Sequence, residues 1–206
     1  MRKKITFVAS VMVFALAAGV TGCAMHITMN PTSAAELPNK HIPCKVTLVI
    51  DSEFQNYHWQ GFSGAELRGL YYDLGSASKN LFLEAFRLAS DGVTVVESKP
   101  TYPVPGHSDV VLVVHPRITG FSEKHSLWIR NTDYYAEITY HVTVYGKTGK
   151  ILLEKNYYAK GVAMGSTDVY RNYAAPAEKA MAQAIVTIID DMRKMVSLQN
   201  SDYKVR

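Results

Sequence analysis

The sequence predicts an α+β fold: a two-layer sandwich of about four to five mostly antiparallel strands, with two helices packed on one face of the sheet. Three observations support this prediction. Residues 134–145 alternate between two faces, as a half-exposed strand does. Residues 76–90 and 175–198 carry apolar stripes at helical spacing. Of the 206 residues, 48% are hydrophobic and 19% are charged, which is typical of a folded chain rather than a disordered one.

Strand patterns occupy much of the chain between 45 and 162. A turn with two glycines at 146–150 predicts a hairpin that joins 134–145 to a return strand over 151–162. Residues 109–120 are apolar on both faces through Val114, which favours a central strand, and Pro116 predicts a bulge or an edge there. The other predicted strands are 45–50, 93–97 and a short one near 69–72.

Two helices are predicted, each with a start signal. Ser76 or Ser78 can cap the first, and Gly92 suits a left-handed residue at its end. Its apolar stripe consists of Leu81, Phe82, Ala85, Phe86 and Ala89. Pro176 suits the first turn of the second helix, over 175–198. Residues 51–75 and 122–133 show no clean period and are predicted to be long loops.

The first residues have the layout of a secretory signal peptide. Three basic residues are followed by an apolar run from Ile5 to Val20 and then by small residues. The run is shorter than the ~20 apolar residues of a spanning helix, so a permanent transmembrane anchor is not expected. We therefore predict a signal peptide over 1–22, a flexible lipidated tether over 23–43, one domain over 44–198 and a tail over 199–206.

The residues Val20-Thr21-Gly22-Cys23 resemble the lipobox of bacterial lipoproteins. The resemblance implies that Cys23 becomes the first mature residue and carries lipid, whereas an ordinary secretory signal would be cut elsewhere. Ala24, by resemblance to the enterobacterial sorting rule, implies the periplasm-facing leaflet of the outer membrane. Cys44 then has no partner in the chain, so it is either a buried thiol or an intermolecular disulfide.

Charge and motifs exclude several classes of function. Three of the 22 basic residues lie in the predicted signal peptide. The remaining 19 are nearly balanced by 18 acidic residues, so the domain has no excess of positive charge of the kind that nucleic-acid binding needs. The seven histidines are scattered and predict no metal site. No nucleophile elbow, His-Glu-x-x-His motif or glycine-rich phosphate loop occurs, so neither a catalytic site nor a cofactor is expected.

Candidate binding residues lie in the two predicted loops. The stretch 53–72 contains Trp59, and the stretch 122–133 contains Lys124, Trp128 and Arg130. Tryptophan and arginine dominate interface energetics when a partner buries them, so these four side chains are predicted to contribute to partner recognition. The alternative is that both tryptophans fold back and close the ends of the sandwich.

The lipobox, the strand over 45–50, the helix around 81–86, the hairpin at 146–149 and the long final helix together resemble small α+β outer-membrane lipoproteins. These include the YajG-type lipoproteins, the LptE-type lipopolysaccharide-assembly lipoproteins and the LpoB-type activators of peptidoglycan synthases. The resemblance implies a non-catalytic, membrane-anchored protein that binds an envelope protein or glycan. The competing hypothesis is a lipid-tethered periplasmic enzyme acting on cell-wall or surface glycans, with its site in 51–75.

Overall fold

The structure is a computed structural model that describes residues 24–31, 41–63, 68–102, 111–127 and 132–204. These residues form an α+β fold, which confirms the predicted class. The elements, in chain order, are β1 (Met25–Ile27), β2 (Ile42–Val49), α1 (Ser52–Gln55), β3 (Trp59–Ser63), β4 (Arg68–Tyr72), α2 (Leu74–Ala89), β5 (Ser90–Val96), β6 (Val111–Leu127), β7 (Thr132–Tyr145), β8 (Ile151–Met164) and α3 (Val169–Lys204).

The larger sheet has five strands in the order β5-β2-β6-β7-β8. The ladders of β6 with β7 and of β7 with β8 are antiparallel, as predicted, whereas β2 runs parallel to both of its neighbours. The ladder between β2 and β6 ends at Val114, and Pro116 comes two residues later. Proline has no N–H to donate, but because it lies beyond the end of this parallel ladder, no hydrogen bond between β2 and β6 is lost.

The core lies between this sheet and the two long helices. The predicted inward face of β7 is buried, as is the predicted stripe of α2. The Phe82 ring lies 5.3 Å from that of Tyr140, centroid to centroid, so helix and sheet meet through aromatic contacts. A hydrogen bond of 2.7 Å between the Ser78 and Tyr140 hydroxyls joins the same two elements. Both hydroxyls are thereby satisfied although both residues are fully buried.

A second sheet of three strands, in the order β1-β4-β3, lies beside the first. Its inner face contributes Ile27, Leu70 and Tyr72 to the core. The Tyr72 ring lies 5.0 Å from the Phe121 ring of β6, so the small sheet packs on the part of β6 that extends past β2. The short strand predicted near 69–72 is confirmed as β4, but the rest of the predicted loop over 51–75 is wrong, because α1, β3 and the start of α2 lie within it.

Part of the predicted tether also belongs to the fold. Strand β1 pairs in parallel with β4, and Met29 beyond it is buried. The backbone N–H of Asn30 donates to Glu178 of α3 at 2.8 Å. Residues 25–30 are thus held by both the small sheet and the final helix, while 32–40 lie outside the described residues.

Several boundaries differ from the predictions for identifiable reasons. Helix α2 begins at Leu74, since Asp73 rather than a serine accepts the capping bond from the Ser76 N–H. It ends at Ala89, and Gly92 lies within β5. Helix α3 begins at Val169 and includes Pro176 in its interior. The predicted loop 122–133 is wrong at both ends: its first six residues continue β6 to Leu127, and its last two begin β7, while 128–131 lie outside the described residues.

Cys44 lies inward on β2 and is 3% exposed. Burial, helped by nearby Asp91, raises the pKa of its thiol to about 11. This environment favours the buried thiol over the intermolecular disulfide. Among the described helices, none combines the length and the apolar character that crossing a membrane requires.

Candidate functional site

The outer face of the small sheet carries a row of aromatic and imidazole rings. His26 of β1 and Gln60 of β3 both pair with Tyr71 of β4, so the three side chains share the face opposite Leu70 and Tyr72. The His26 ring lies 4.7 Å from the Tyr71 ring. His58, just before β3, stacks on Tyr71 at 5.3 Å with an interplanar angle of 23°. The Tyr71 ring therefore sits between two imidazoles on an accessible surface.

An open groove runs along both sides of this row. One part, of about 450 Å³, lies against α1, and the other, of about 350 Å³, lies against β1 and the residues after it. The two parts share Tyr71, Asp73 and Ser76 as lining residues and are therefore adjacent, and we call them together the Tyr71 groove. The remaining lining includes Gln55, Asn56, His58, Lys79, His26, Asn30 and Asn80.

The polar groups of the groove are fixed by their own hydrogen bonds. Lys79 donates to the Gln55 side-chain oxygen at 2.7 Å, which ties α2 to α1. His58 Nδ1 lies 3.1 Å from the Asn56 carbonyl oxygen. Such fixed amide, ammonium and imidazole groups can hydrogen-bond and stack on a polar ligand with little ordering cost. In the described part of the chain, no group of three metal-ligating side chains comes together.

The sequence predicted a binding stretch over 53–72, and four residues of that stretch line the groove, but it did not predict that His26 joins them. His26 belongs to the predicted tether and His58 to the predicted loop. The parallel pairing of β1 with β4 brings them to one tyrosine, and neither strand has a pattern long enough to predict that pairing.

Trp59 lies at the start of β3 and is half-buried. Its ring makes edge contacts with Tyr72 at 5.7 Å and with Phe121 at 5.3 Å. It also lies directly over Gly61, where a side chain would collide with the indole. Trp59 therefore packs where the two sheets meet, and its role in partner recognition stays a prediction.

Lys124 is exposed on β6, on the face of the large sheet opposite the helices. Its ammonium lies 3.9 Å from Glu137 of β7, a solvated ion pair of small energetic value. Nothing places Lys124 near the Tyr71 groove. Cys23, Trp128 and Arg130 lie outside the described residues, so their predicted roles stay predictions as well.

Two titratable side chains on the inner face of β6 were not anticipated. Glu123 and His125 lie 3.8 Å apart, with side chains 3% and 13% exposed. Above them, burial and the Glu123 charge raise the pKa of Tyr72 beyond its usual range. The sequence reading missed this cluster because it placed both residues in a loop, where neither would have an inward face.

Asp51 and His115 form a further close pair, with Asp51 Oδ2 and His115 Nε2 2.8 Å apart. Asp51 also caps α1 by accepting from the Phe54 N–H at 2.8 Å. Burial acts to raise the pKa of Asp51, but the Phe54 N–H, His115 and Arg117 outweigh it and lower that pKa below its usual value. The pair stabilises a helix start, and it lies outside the lining of the Tyr71 groove.

No family model matches the chain, and no curated protein matches its sequence significantly. Among solved structures, it is similar to a protein of Xanthomonas campestris described by the family model DUF330, with a TM-score of 0.52, 12% identity, and 87% of this chain and 96% of that one covered. It is also similar to rare lipoprotein B of Shewanella oneidensis, with a TM-score of 0.34, 11% identity, and coverage of 78% and 98%.

A minor lipoprotein of Acinetobacter baumannii gives a TM-score of 0.31 at 8% identity, with 78% of this chain and 95% of that chain covered. At 12% identity, the likeness to the Xanthomonas protein shows a shared fold and nothing about activity. The TM-scores of the two lipoproteins are too low to support an argument about fold or function.

Proposed function

We propose that this chain is a lipid-anchored, non-catalytic protein of the bacterial outer membrane that binds another envelope component in the groove around Tyr71. The anchor rests on the lipobox-like residues that end at Cys23. The binding role rests on the groove itself, which is open, polar and lined by rings and fixed hydrogen-bonding groups.

The observation that carries the proposal is the position of His26. It contacts Tyr71 in the groove and lies three residues after Cys23 in the sequence. A ligand in the groove would therefore be held next to the lipid anchor, where a component of the membrane or of the adjoining wall is within reach.

The buried carboxylate of Glu123 gives the competing enzyme hypothesis little support. A glycan hydrolase needs carboxyl groups on either side of a bound sugar. Glu123 is inward-facing and almost fully buried, whereas the groove contributes a single acid, Asp73, among its described lining residues. Asp73 is itself engaged in capping α2. This arrangement favours binding over catalysis.

Photo-crosslinking in intact cells tests the proposal. A benzophenone amino acid at Asn80, which is exposed on the groove wall, should give a specific adduct with an envelope component. The same probe at Tyr158, exposed on the far face of the large sheet, is the control and should give none. His58→Ala should weaken the Asn80 adduct by about tenfold, the loss of one good contact of ~1.4 kcal/mol.

A third probe position separates this site from the one that the sequence predicts. Lys124 is exposed and lies in the segment predicted to bind. An adduct at Lys124 with none at Asn80 would move the site to the far end of the β6–β7 hairpin and contradict the groove. Analysis of the Asn80 adduct before and after protease or glycan-hydrolase digestion then tells protein from glycan.

A further inference from the structure

One end of the small sheet gathers three chain segments next to the lipobox. Because β1 and β4 are parallel and β3 is antiparallel to β4, β1 and β4 begin where β3 ends. Ala24, immediately before β1, approaches Gly69 of β4 so closely that a Cβ on Gly69 would lie 3.5 Å from it. Gly69 in turn pairs with Phe62 of β3. Ala24, Gly69 and Phe62 therefore lie side by side at this end.

Phe62 is unusually exposed for a phenylalanine, with 63% of its surface accessible. It lies on the outer face of the small sheet, where its partner Gly69 has no side chain to cover it. Leaving a phenylalanine side chain in water forgoes about 1.5–3 kcal/mol of burial free energy. Aromatic side chains, phenylalanine included, are enriched at surfaces that bind a partner relative to the rest of a protein surface.

The distances place this ring within reach of a bilayer. Cys23 is joined covalently to Ala24, and consecutive Cα atoms are about 3.8 Å apart. Two strand spacings separate β1 from β3, or roughly 10 Å. Since β1 is hydrogen-bonded to β4 and Asn30 to Glu178, the point at which Cys23 joins the domain is fixed at this end of the sheet.

We propose that this end of the small sheet rests on the bilayer and that Phe62 inserts among the lipid head groups as a second contact beside the lipid on Cys23. The proposal rests on the lipid anchoring of Cys23 proposed above. A bilayer is the occupant to expect here because the acyl chains leave the protein at the same end. Amphipathic surfaces that bind this way reach about 5–10 Å into the boundary between head groups and acyl chains.

Site-specific fluorescence on the lipidated protein tests this contact. Phe62→Cys and Tyr158→Cys are each labelled with an NBD dye and reconstituted into vesicles of phosphatidylethanolamine and phosphatidylglycerol. The two positions are matched, at 63% and 61% exposure, and lie on different sheets. Cys44 is buried and Cys23 would be acylated, so the introduced thiol takes the label.

We expect spin-labelled lipids to quench the dye at position 62 and to shield it from aqueous iodide, while the dye at 158 shows neither effect. If iodide quenches both dyes and spin-labelled lipids quench neither, the bilayer contact is refuted. Shielding at 62 without lipid quenching also refutes it, because a protein or a second copy of the chain would then cover the ring.

Vesicle flotation keeps this test separate from the test of the anchor. If the labelled protein floats with the vesicles but the dye at 62 remains in water, the anchor stands and the contact fails. If the wild-type protein purified from membranes carries no lipid and does not float, the proposed lipid anchor is refuted, and the proposed bilayer contact of Phe62 is refuted with it.

Discussion

Two phenylalanines one helical turn apart join α2 to the large sheet. Phe82 and Phe86 are both fully buried, and their rings stack 6.2 Å apart. Phe82 also meets Phe54 of α1 edge-on at 5.8 Å. One helix face therefore contacts the central strands and the short helix at once, so the loss of either ring leaves a void that neighbouring side chains cannot easily fill.

Phe86→Ala should lower the free energy of unfolding by about 3–5 kcal/mol, which is the usual cost of deleting a buried phenylalanine. Leu88→Ala is the matched control, because Leu88 lies on the same helix at 59% exposure. It should shift stability by less than ~0.5 kcal/mol. Urea unfolding followed by circular dichroism measures both values. Equal losses for the two variants would mean that the apolar face of α2 is assigned wrongly.

A glycine sets how closely α3 approaches β8. A Cβ on Gly161 would collide with the backbone carbonyl oxygen of Pro176 and would lie 2.8 Å from the Ala180 nitrogen. Backbone atoms cannot rotate aside as a side chain can, so the helix would have to move. Lys179 on the same helix donates to the Val162 carbonyl at 3.1 Å, and this bond depends on the close approach.

Gly161→Ala should therefore cost about 1–3 kcal/mol or more, the range for overpacking a core. Gly120→Ala is the control, because the nearest atoms to a Cβ at that position are 3.9 Å away, on Thr139. Thermal unfolding should show a clear drop for Gly161→Ala and a small one for Gly120→Ala. A Gly161→Ala protein as stable as wild type would show that α3 is not seated on β8 in this way.

The start of α1 should make stability depend on pH. The pKa of Asp51 is lowered in the folded protein, so the ionised carboxylate stabilises the fold above the unfolded-state value of ~3.9. This contribution is lost as the pH falls from there through the lower folded-state pKa. Asp51→Asn retains a capping side chain but not the charge.

Asp51→Asn should thus be less stable than wild type at neutral pH, and the gap should close in acid across that window. Glu53→Gln removes an exposed charge from the same helix and is the control. Urea unfolding at several acidic pH values measures the gap. A gap that stays constant down to the lowest pH would contradict the charge interaction with His115 and Arg117.

Long periodic elements were predictable from the sequence, whereas of the three short strands in the small sheet only β4, near 69–72, was predicted. The alternation in β7 and the stripe of α2 are each set by burial against one surface, so their patterns identify them. Strands β1, β3 and β4 are three to five residues long and take their positions from pairing with each other. Tertiary contacts decide such pairing, so the sequence could point to 53–72 as a binding stretch but not to the contact of His26 with Tyr71.

Lipid on Cys23 is the proposed attachment of this protein to the membrane. Cys23→Ala should abolish incorporation of labelled palmitate, because the lipobox thiol is its acceptor, and should shift the protein out of the outer-membrane fraction. Cys44→Ala is the control and should leave labelling unchanged, since that thiol is buried in the fold. Equal labelling of wild type and Cys23→Ala would contradict the lipobox.

The bond between Asn30 and Glu178 also has a consequence for the order of events during biogenesis. Residues just after β1 are fixed by a helix that a ribosome makes more than a hundred residues later. The ladder between β2 and β6 likewise cannot form until β6 has been made. The contacts around β1 are therefore complete only after α3 has been made. Under the lipid anchoring proposed above, Cys23 would be accessible during that interval to the enzymes that acylate and cleave such a protein, before β1 pairs within the small sheet.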